Sequence, residues 1–305
     1  MYYLLIVLSV VMFGGCFKLN DLYRVRMGTS LKVSLHFALI SSLAALPVLG
    51  AICKFAPTVT PFTLLIAALS AVNGVLFSFC SFKALGRINL SLYSLFSMLG
   101  GMALPFVQGI LFFEEELTVA KSVCFVLIAL ALAVTVKPVS ADKKGGFIYY
   151  VGVFVLNGMS GVLSKIFVSA PFEKSDSYSF SFWSAVCSVL LSLLVLAVIL
   201  LCENRSMKFT SDSDNVCAKQ KKVPGVKTIG IAAANGVINK LANLILVISL
   251  AFVDTSVQYP MVTGGVIIVS TLICFFDKEK KPKKSDIISV IIAFFGTLAL
   301  FLIPV

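Results

Sequence analysis

Long apolar runs fill most of this 305-residue chain, and they restrict its possible folds more than any other feature. A helix needs about 20 consecutive apolar residues to cross the hydrocarbon core of a bilayer. Ten runs reach or approach this length, at 1–17, 33–53, 62–82, 90–113, 118–136, 147–169, 178–201, 229–253, 255–276 and 287–305. Such continuous runs disfavour a transmembrane barrel, whose short strands alternate apolar and polar residues. The sequence therefore predicts an all-α integral membrane protein with ten transmembrane helices.

The composition supports this prediction. Mean hydropathy is +1.03 and charged residues make up 13% of the chain, well below the share of roughly a quarter in soluble domains. Eight cysteines and one histidine include no CxxC pair, so we predict neither a disulfide framework nor a metal site, and we expect no cofactor. The first run follows no basic residue and its pattern returns inside the chain, which favours a retained helix over a cleaved signal peptide.

The chain contains an internal repeat. One set of matched residues is separated by 147 positions and comprises Tyr2 and Tyr149, Tyr3 and Tyr150, Met12 and Met159, Gly14 and Gly161, and Lys18 and Lys165. A second set is separated by 162 positions and comprises Ala71 and Ala233, Asn73 and Asn235, Gly74 and Gly236, and Val75 and Val237. Duplicated halves of this kind build many secondary transporters. We therefore expect two five-helix repeats, at 1–138 and 147–305.

The basic residues are distributed unevenly among the connections between the runs. The connections after the odd-numbered runs hold most Lys and Arg, whereas the others hold only Lys54, Lys121, Lys165 and Lys174. The positive-inside rule then places both chain ends on the extracytoplasmic side of a cell membrane. By the same rule, the loop at 203–228 is cytoplasmic. Because each half has five helices, equivalent connections fall on opposite faces, which predicts inverted repeats. The net charge of +11 is explained by this topology, so no nucleic-acid partner is expected.

Polar residues within the apolar runs are candidates for a binding site. Lys240 lies near the middle of the run at 229–253, where a lysine costs about 2.5–3.5 kcal/mol and marks a functional site by default. Asn235, Asn239 and Asn243 recur every four residues and form a stripe beside it. Such a stripe faces protein or water, so it either binds a ligand or joins neighbouring helices. Further candidates in other runs are Asn73, Asn157 and Ser160.

Acidic residues are absent from the apolar runs, so no buried carboxylate is expected to relay protons. Glu114, Glu115 and Glu116 follow the fourth run, where we expect a solvated turn. Lys18 and Lys165 close the first and sixth runs, and we expect both to extend their ammonium groups to the membrane interface.

Two stretches carry a family resemblance. In the first half, residues 83–88 read Lys-Ala-Leu-Gly-Arg-Ile and residues 112–118 read Phe-Phe-Glu-Glu-Glu-Leu-Thr; in the second half, Tyr259-Pro260 precedes Gly-Gly-Val-Ile-Ile at 264–268 and Phe275-Phe276 precedes Glu279-Lys280. In these stretches the chain resembles the EamA-type transporters of the drug/metabolite transporter superfamily. It departs from the family pattern where Glu114 replaces a glycine, where an extra residue precedes Glu279, and where the Trp-Gly of the first helix is absent.

The resemblance implies two inverted repeats around a cavity formed by the first, third, fourth, sixth, eighth and ninth helices. It adds Tyr93, Ser97 and Gln108 in the fourth run and Tyr259 and Thr263 in the ninth run as candidates for the cavity wall. The expected function is secondary transport of a small polar metabolite, such as an amino acid or an organic phosphate, with Lys240 neutralising an anionic group. A membrane receptor or assembly factor with a carrier fold remains open, as does a membrane enzyme acting on lipid-linked substrates, although no catalytic group is predicted.

Overall fold

A computed structural model describes residues 2–86, 90–135, 147–209, 224–275 and 284–302. Within these ranges the chain forms ten α-helices and no strand. Their bounds are α1 Tyr2–Met27, α2 Leu31–Ile52, α3 Pro61–Leu85, α4 Leu90–Phe112, α5 Val119–Thr135, α6 Phe147–Ser169, α7 Ser177–Phe209, α8 Val226–Ser249, α9 Thr255–Phe275 and α10 Lys284–Leu302. The all-α prediction is confirmed, and each helix overlaps one of the apolar runs.

The helices have the length and surface of a multi-pass membrane protein. Among the described residues, seven helices are long and apolar enough to cross a membrane: α1, α2, α3, α6, α7, α8 and α9. Shorter apolar stretches at Phe96–Phe112 and Val119–Ala131 lie in α4 and α5. Large apolar side chains point outward, as at Leu4, Val7 and Val11 of α1. Contiguous exposed apolar surface of this kind is rare on soluble proteins and suits contact with lipid.

The first apolar run underestimates its helix by ten residues, because α1 continues to Met27. Residues 18–27 are more polar but still helical, because their backbone hydrogen bonds form within the helix and Arg24 pairs with Asp21 one turn earlier. Gly28, at φ +97°, ends the helix and donates its N–H to the Arg24 carbonyl at 2.7 Å. Lys18 and Arg24, which lie beyond the first apolar run, are therefore part of α1.

The long loop expected at 203–228 is also shorter than predicted. Helix α7 continues to Phe209, and α8 begins at Val226. Residues 210–223 lie outside the described ranges, as do Lys137, Lys143 and Lys144 and the basic stretch at 278–283. By contrast, the short connection expected around Asp254 is observed, since α8 ends at Ser249 and α9 begins at Thr255.

Helix neighbours follow a pattern that repeats every five helices. Helix α1 packs on α8 and α9, and α6 packs on α3 and α4 in the same way. Helix α2 packs on α8, and its counterpart α7 packs on α3. Three pairs join equivalent positions, namely α2 with α7, α4 with α9 and α5 with α10. Each helix of the first five therefore has the same principal neighbours as the helix five places later, once the neighbours are shifted by five in the same way.

Individual contacts give the directions of the packed helices. Helices α1 and α8 are antiparallel, because Ser9 bonds to Ala242 while Cys16 bonds to Asn235 further along α1. Helices α1 and α9 are parallel, because residue numbers increase together in both helices from the contact of Val10 with Gly265 to the contact of Gly14 with Val269. Helices α4 and α6 are parallel in the same way, with contacts from Gly100 to Phe154 and from Pro105 to Gly161. Helices α4 and α9 are antiparallel, because Met98 of α4 contacts Thr263 while Glu115, three residues after the end of α4, contacts Thr255 at the start of α9.

Two matched glycines differ in their packing, since Gly236 on α8 is in close contact with another helix and Gly74 on α3 is not. A Cβ atom at Gly236 would collide with the backbone oxygen of Ser41 on α2, and the Ser41 hydroxyl donates to the Ala232 carbonyl at 2.9 Å. At Gly74, the matched position on α3, a Cβ atom would meet nothing within 4 Å. Small residues allow membrane helices to approach closely, so α8 and α2 are in backbone contact where the equivalent surface of α3 is open.

Candidate functional site

A cavity of about 280 Å³ lies between the two halves of the molecule. It is lined by the six helices that the resemblance implied, and by α2 and α7 in addition. Nine of the twelve candidates from the sequence contribute to its wall, namely Asn73, Asn157, Ser160, Asn235, Asn239, Lys240, Asn243, Tyr259 and Thr263. Residues that are far apart in the sequence are thus brought to one site.

Lys240 is the only charged residue among the described residues that line the cavity. Its side chain is half-buried, and its Nζ atom donates to the Ser184 hydroxyl on α7 at 3.3 Å. An ammonium group carries three hydrogen-bond donors. Among the described side chains, no ion pair reaches Lys240. The cavity wall described here therefore combines one cation with no carboxylate.

The asparagine side chains also join helices at the cavity wall. Asn235 donates to the Cys16 carbonyl of α1 at 2.9 Å, and Asn73 donates to the Leu156 carbonyl of α6 at the same distance. Asn157 on α6 donates to the Ser97 carbonyl of α4 at 2.6 Å. These amide groups satisfy backbone carbonyls across helix contacts while they line the cavity. Binding of a ligand by these three asparagines stays a prediction.

Asn239 and Asn243 form a pair next to Lys240 on α8. The Asn243 amide nitrogen donates to the Asn239 backbone oxygen at 2.9 Å and to its side-chain oxygen at 3.1 Å. Both side chains are half-buried and line the cavity. They add amide groups beside the ammonium of Lys240, which could hold the polar part of a bound solute by hydrogen bonds.

Aromatic side chains supply much of the remaining wall. Phe13 and Phe17 of α1, Phe77 of α3 and Phe180 of α7 line the cavity together with Tyr259 of α9. Apolar walls with a few convergent polar groups are typical of sites for small molecules, whose volumes run from roughly 300 to 1,000 Å³. The cavity lies at the small end of this range.

Tyr93 does not line the cavity. Its ring is fully buried, packs edge-on against Phe17 with a centroid distance of 5.8 Å, and its hydroxyl donates to the Ser81 hydroxyl at 2.8 Å. Ser97 and Gln108 are also absent from the wall, whereas Thr263 belongs to it. A tyrosine within an apolar run carries no sequence signal for the direction in which its ring points.

Sequence reasoning missed the serine face of α7. Ser181, Ser184 and Ser188 line the cavity at spacings of three and four residues, which place them on one face of the helix. Ser184 is the partner of Lys240. The spacing itself was a usable signal, but serines are common in apolar helices, where their hydroxyls bond to the preceding turn, as Ser188 does to the Ser184 carbonyl at 2.7 Å.

A buried ion pair beside the cavity was also missed. The expectation of a solvated turn at Glu115 and of an interfacial Lys165 is wrong, because Lys165 Nζ lies 2.9 Å from Glu115 Oε1 and the two side chains are 10% and 6% exposed. Glu115 further accepts the backbone N–H groups of Thr255 at 3.0 Å and Ser256 at 2.9 Å, at the start of α9. The residues are 50 positions apart, so only the parallel packing of α4 and α6 reveals the pair.

The electrostatics keep Glu115 ionised. Burial raises the pKa of its carboxyl, but hydrogen bonds from Lys165, Ser256 and Thr255 outweigh burial and lower the pKa to about 2. The first turn of a helix also favours a negative charge, because its N–H groups have no partner within the helix. The carboxylate is therefore charged throughout the physiological pH range.

Comparison with other proteins defines the class of fold and no more. No family model matches the sequence, and no curated protein matches it. One crystal structure of another protein aligns with 97% of this chain and 96% of its own, with a TM-score of 0.65 and 14% sequence identity. At this identity the similarity shows a shared fold. The chain is thus an all-α protein with several candidate membrane-spanning helices, and its fold is known from at least one solved structure.

Proposed function

We propose that the protein is a secondary transporter that moves a small polar solute bearing an anionic group across a cell membrane. The observation that carries this proposal is the cavity between the halves, in which Lys240 is the only charged residue among the described wall residues. A charge so deep in an apolar helix is costly unless a ligand, a partner or water compensates it. A solute carboxylate or phosphate would provide that compensation.

Helix directions support two inverted repeats of five transmembrane helices. Helix α1 is parallel to α9, α9 is antiparallel to α4, and α4 is parallel to α6. It follows that α1 and α6, which begin the two halves, point in opposite directions. The neighbour pattern that repeats every five helices agrees with this relation. Inverted repeats around a central site are the architecture of alternating access, in which one half rocks against the other.

The turn after α4 supports the resemblance to the EamA-type family. Glu114 adopts a left-handed conformation with φ +52°, which favours glycine, and it occupies the position where the family pattern has glycine. The backbone of this turn is thus the one that the family motif would require. The positive-inside rule further suggests that this turn and both chain ends lie outside the cytoplasm.

The charge of the cavity favours an anionic solute over a cationic one. A cation would meet the Lys240 ammonium and would find no carboxylate among the described wall residues. An anion would meet that ammonium together with the amides of Asn239 and Asn243. Amino acids and organic phosphates both fit this description, and the aromatic wall would hold the apolar part of such a solute.

The test is flux in proteoliposomes loaded with a mixture of cellular metabolites. Mass spectrometry of the exported solutes identifies what the wild-type protein moves, and the same assay is then run with Lys240→Gln and with Lys227→Gln. Lys227 lies on the same helix but is exposed and outside the cavity wall. We expect Lys240→Gln to abolish flux without loss of folding and Lys227→Gln to retain it. Wild-type flux in Lys240→Gln would refute the role of Lys240, and binding without flux would indicate a receptor.

A further inference from the structure

Charged residues from both halves meet at one end of the molecule. Glu115 lies in the connection between α4 and α5, and its partner Lys165 is on α6. Close in the chain to Glu115, Lys121 of α5 contacts Asp254 in the turn between α8 and α9 at 3.2 Å. The Lys121 ammonium also donates to the Glu116 carbonyl at 2.9 Å. Two ion pairs thus connect the first half to the second at this end.

Glu115 binds two elements of the second half at once. Its Oε1 atom accepts from Lys165 Nζ at 2.9 Å and from the Thr255 N–H at 3.0 Å, and its Oε2 atom accepts from the Ser256 N–H at 2.9 Å. A Cβ atom at Gly109 would lie only 2.7 Å from Oε2, so glycine provides the space for the carboxylate. The carboxylate is therefore the point at which α4, α6 and α9 are joined.

This joint lies directly beyond the cavity. Ser164, the residue before Lys165, lines the cavity, and so does Tyr259, one turn after Thr255. Neither Glu115 nor Lys165 lines it. Gly161, a wall residue one turn before Ser164, packs closely against the ring of Tyr259 and against Pro105. The buried ion pair therefore lies immediately beyond the packed wall residues at this end of the cavity.

An ion pair suits a contact that must break and re-form. Burying the two charges costs about as much as their attraction returns, so a buried pair adds little net stability compared with an apolar contact. When the end opens, water solvates both charges and offsets the lost attraction. An apolar seal would gain nothing from entering water. The pair therefore fixes the geometry of the closed arrangement while the free-energy cost of opening stays low.

We propose that Glu115, bound to Lys165 and to the start of α9, is the latch that holds this end of the transport cavity closed. The latch rests on the proposed function for the identity of the cavity as a transport site. By the inferred topology it closes the extracytoplasmic end. Solute reaches the cavity from this side only after Glu115 separates from α6 and α9.

The test measures access to the cavity and needs no solute. Ser164 is replaced by cysteine in a variant lacking the native cysteines, and a membrane-impermeant thiol reagent is applied to the outside of intact cells. We expect Glu115→Gln to increase the labelling rate roughly tenfold or more, because removing one partner leaves the other charge buried and destabilises the closed arrangement. Glu116→Gln, which alters an exposed neighbour, is the matched control and should label as slowly as the parent.

Further variants distinguish a latch from an ion pair that serves only the stability of the fold. Lys165→Gln should increase labelling as Glu115→Gln does, and exchanging the two residues should not restore slow labelling, because a lysine at 115 would face the N–H donors of α9. Equal labelling of Glu115→Gln and Glu116→Gln would overturn the latch, and so would loss of folding in both single variants, which would make the pair a structural requirement. Faster labelling without solute flux would uphold the latch and refute the transporter.

Discussion

At the scale of single residues, Glu114 shows how a local conformation and a remote contact are linked. Its φ of +52° turns the chain at the end of α4 so that Glu115 folds back beneath Gly109. A left-handed conformation costs a residue with a side chain roughly 1–2 kcal/mol. The turn is therefore strained at Glu114 for the benefit of the ion pair at Glu115.

This strain predicts that Glu114→Gly is more stable than Glu114→Ala. Both changes remove the same carboxylate, but only glycine adopts the left-handed conformation without penalty, so we expect a difference of about 1 kcal/mol in the free energy of unfolding. Thermal unfolding of the purified variants in detergent measures it. An alanine variant as stable as the glycine variant would show that the turn is not strained.

Some residues of the site could be recognised in the sequence and others could not. Lys240 and the asparagines were found because a polar residue within an apolar run is costly and must have a reason. Glu115 and Lys165 were not found, since each lies at a helix end where a charge is ordinary. Only the packing of α4 beside α6 makes their pairing visible.

At the scale of helices, the sequence predicted position better than extent. Ten apolar runs correspond to the ten helices of the described residues, and seven of these helices are long and apolar enough to cross a membrane. The ends of α1 at Met27 and of α7 at Phe209 were missed, since a helix that continues beyond an apolar run leaves no hydropathy signal. The position of a helix relative to its neighbours, as for Tyr93, likewise required the fold.

Matched glycines on α3 and α8 give a prediction for helix packing. Gly236→Ala should destabilise the protein by about 1–3 kcal/mol, because the added methyl group enters the backbone contact of α8 with α2. Gly74→Ala should leave the folded state unaffected, since the same atom meets nothing within 4 Å. Thermal unfolding of the two variants provides the comparison. Equal destabilisation would contradict the difference in packing between α3 and α8.

The difference between the two glycines has a consequence for transport. In the alternating-access mechanism, inverted repeats exchange their arrangements when the cavity opens to the other side. The open surface of α3 at Gly74 would then close, while the contact of α8 with α2 at Gly236 would open. In the proposed mechanism, the structure is then one of two arrangements that the protein adopts.

At the scale of the whole molecule, the proposed transporter combines a fold, a charge and a closed end. In this proposal, two halves with opposite directions enclose one cavity, Lys240 supplies the charge that attracts an anionic solute, and the Glu115 latch closes one route to it. No carboxylate lies among the described residues of the cavity wall, so we predict facilitated or exchange transport rather than proton antiport that relies on a carboxylate.

Alternating access requires that the cavity be reached from both sides of the membrane, and thiol labelling can establish whether it is. A cysteine replaces Ser160, an exposed residue of the cavity wall, in a variant without native cysteines, and an impermeant thiol reagent is applied to oriented membranes from one side or the other. A cysteine at the exposed Lys227, at the start of α8, is the control and should react from one side only. We predict that the cysteine at position 160 reacts from both sides. Reaction from a single side would contradict alternating access and would indicate a fixed binding pocket.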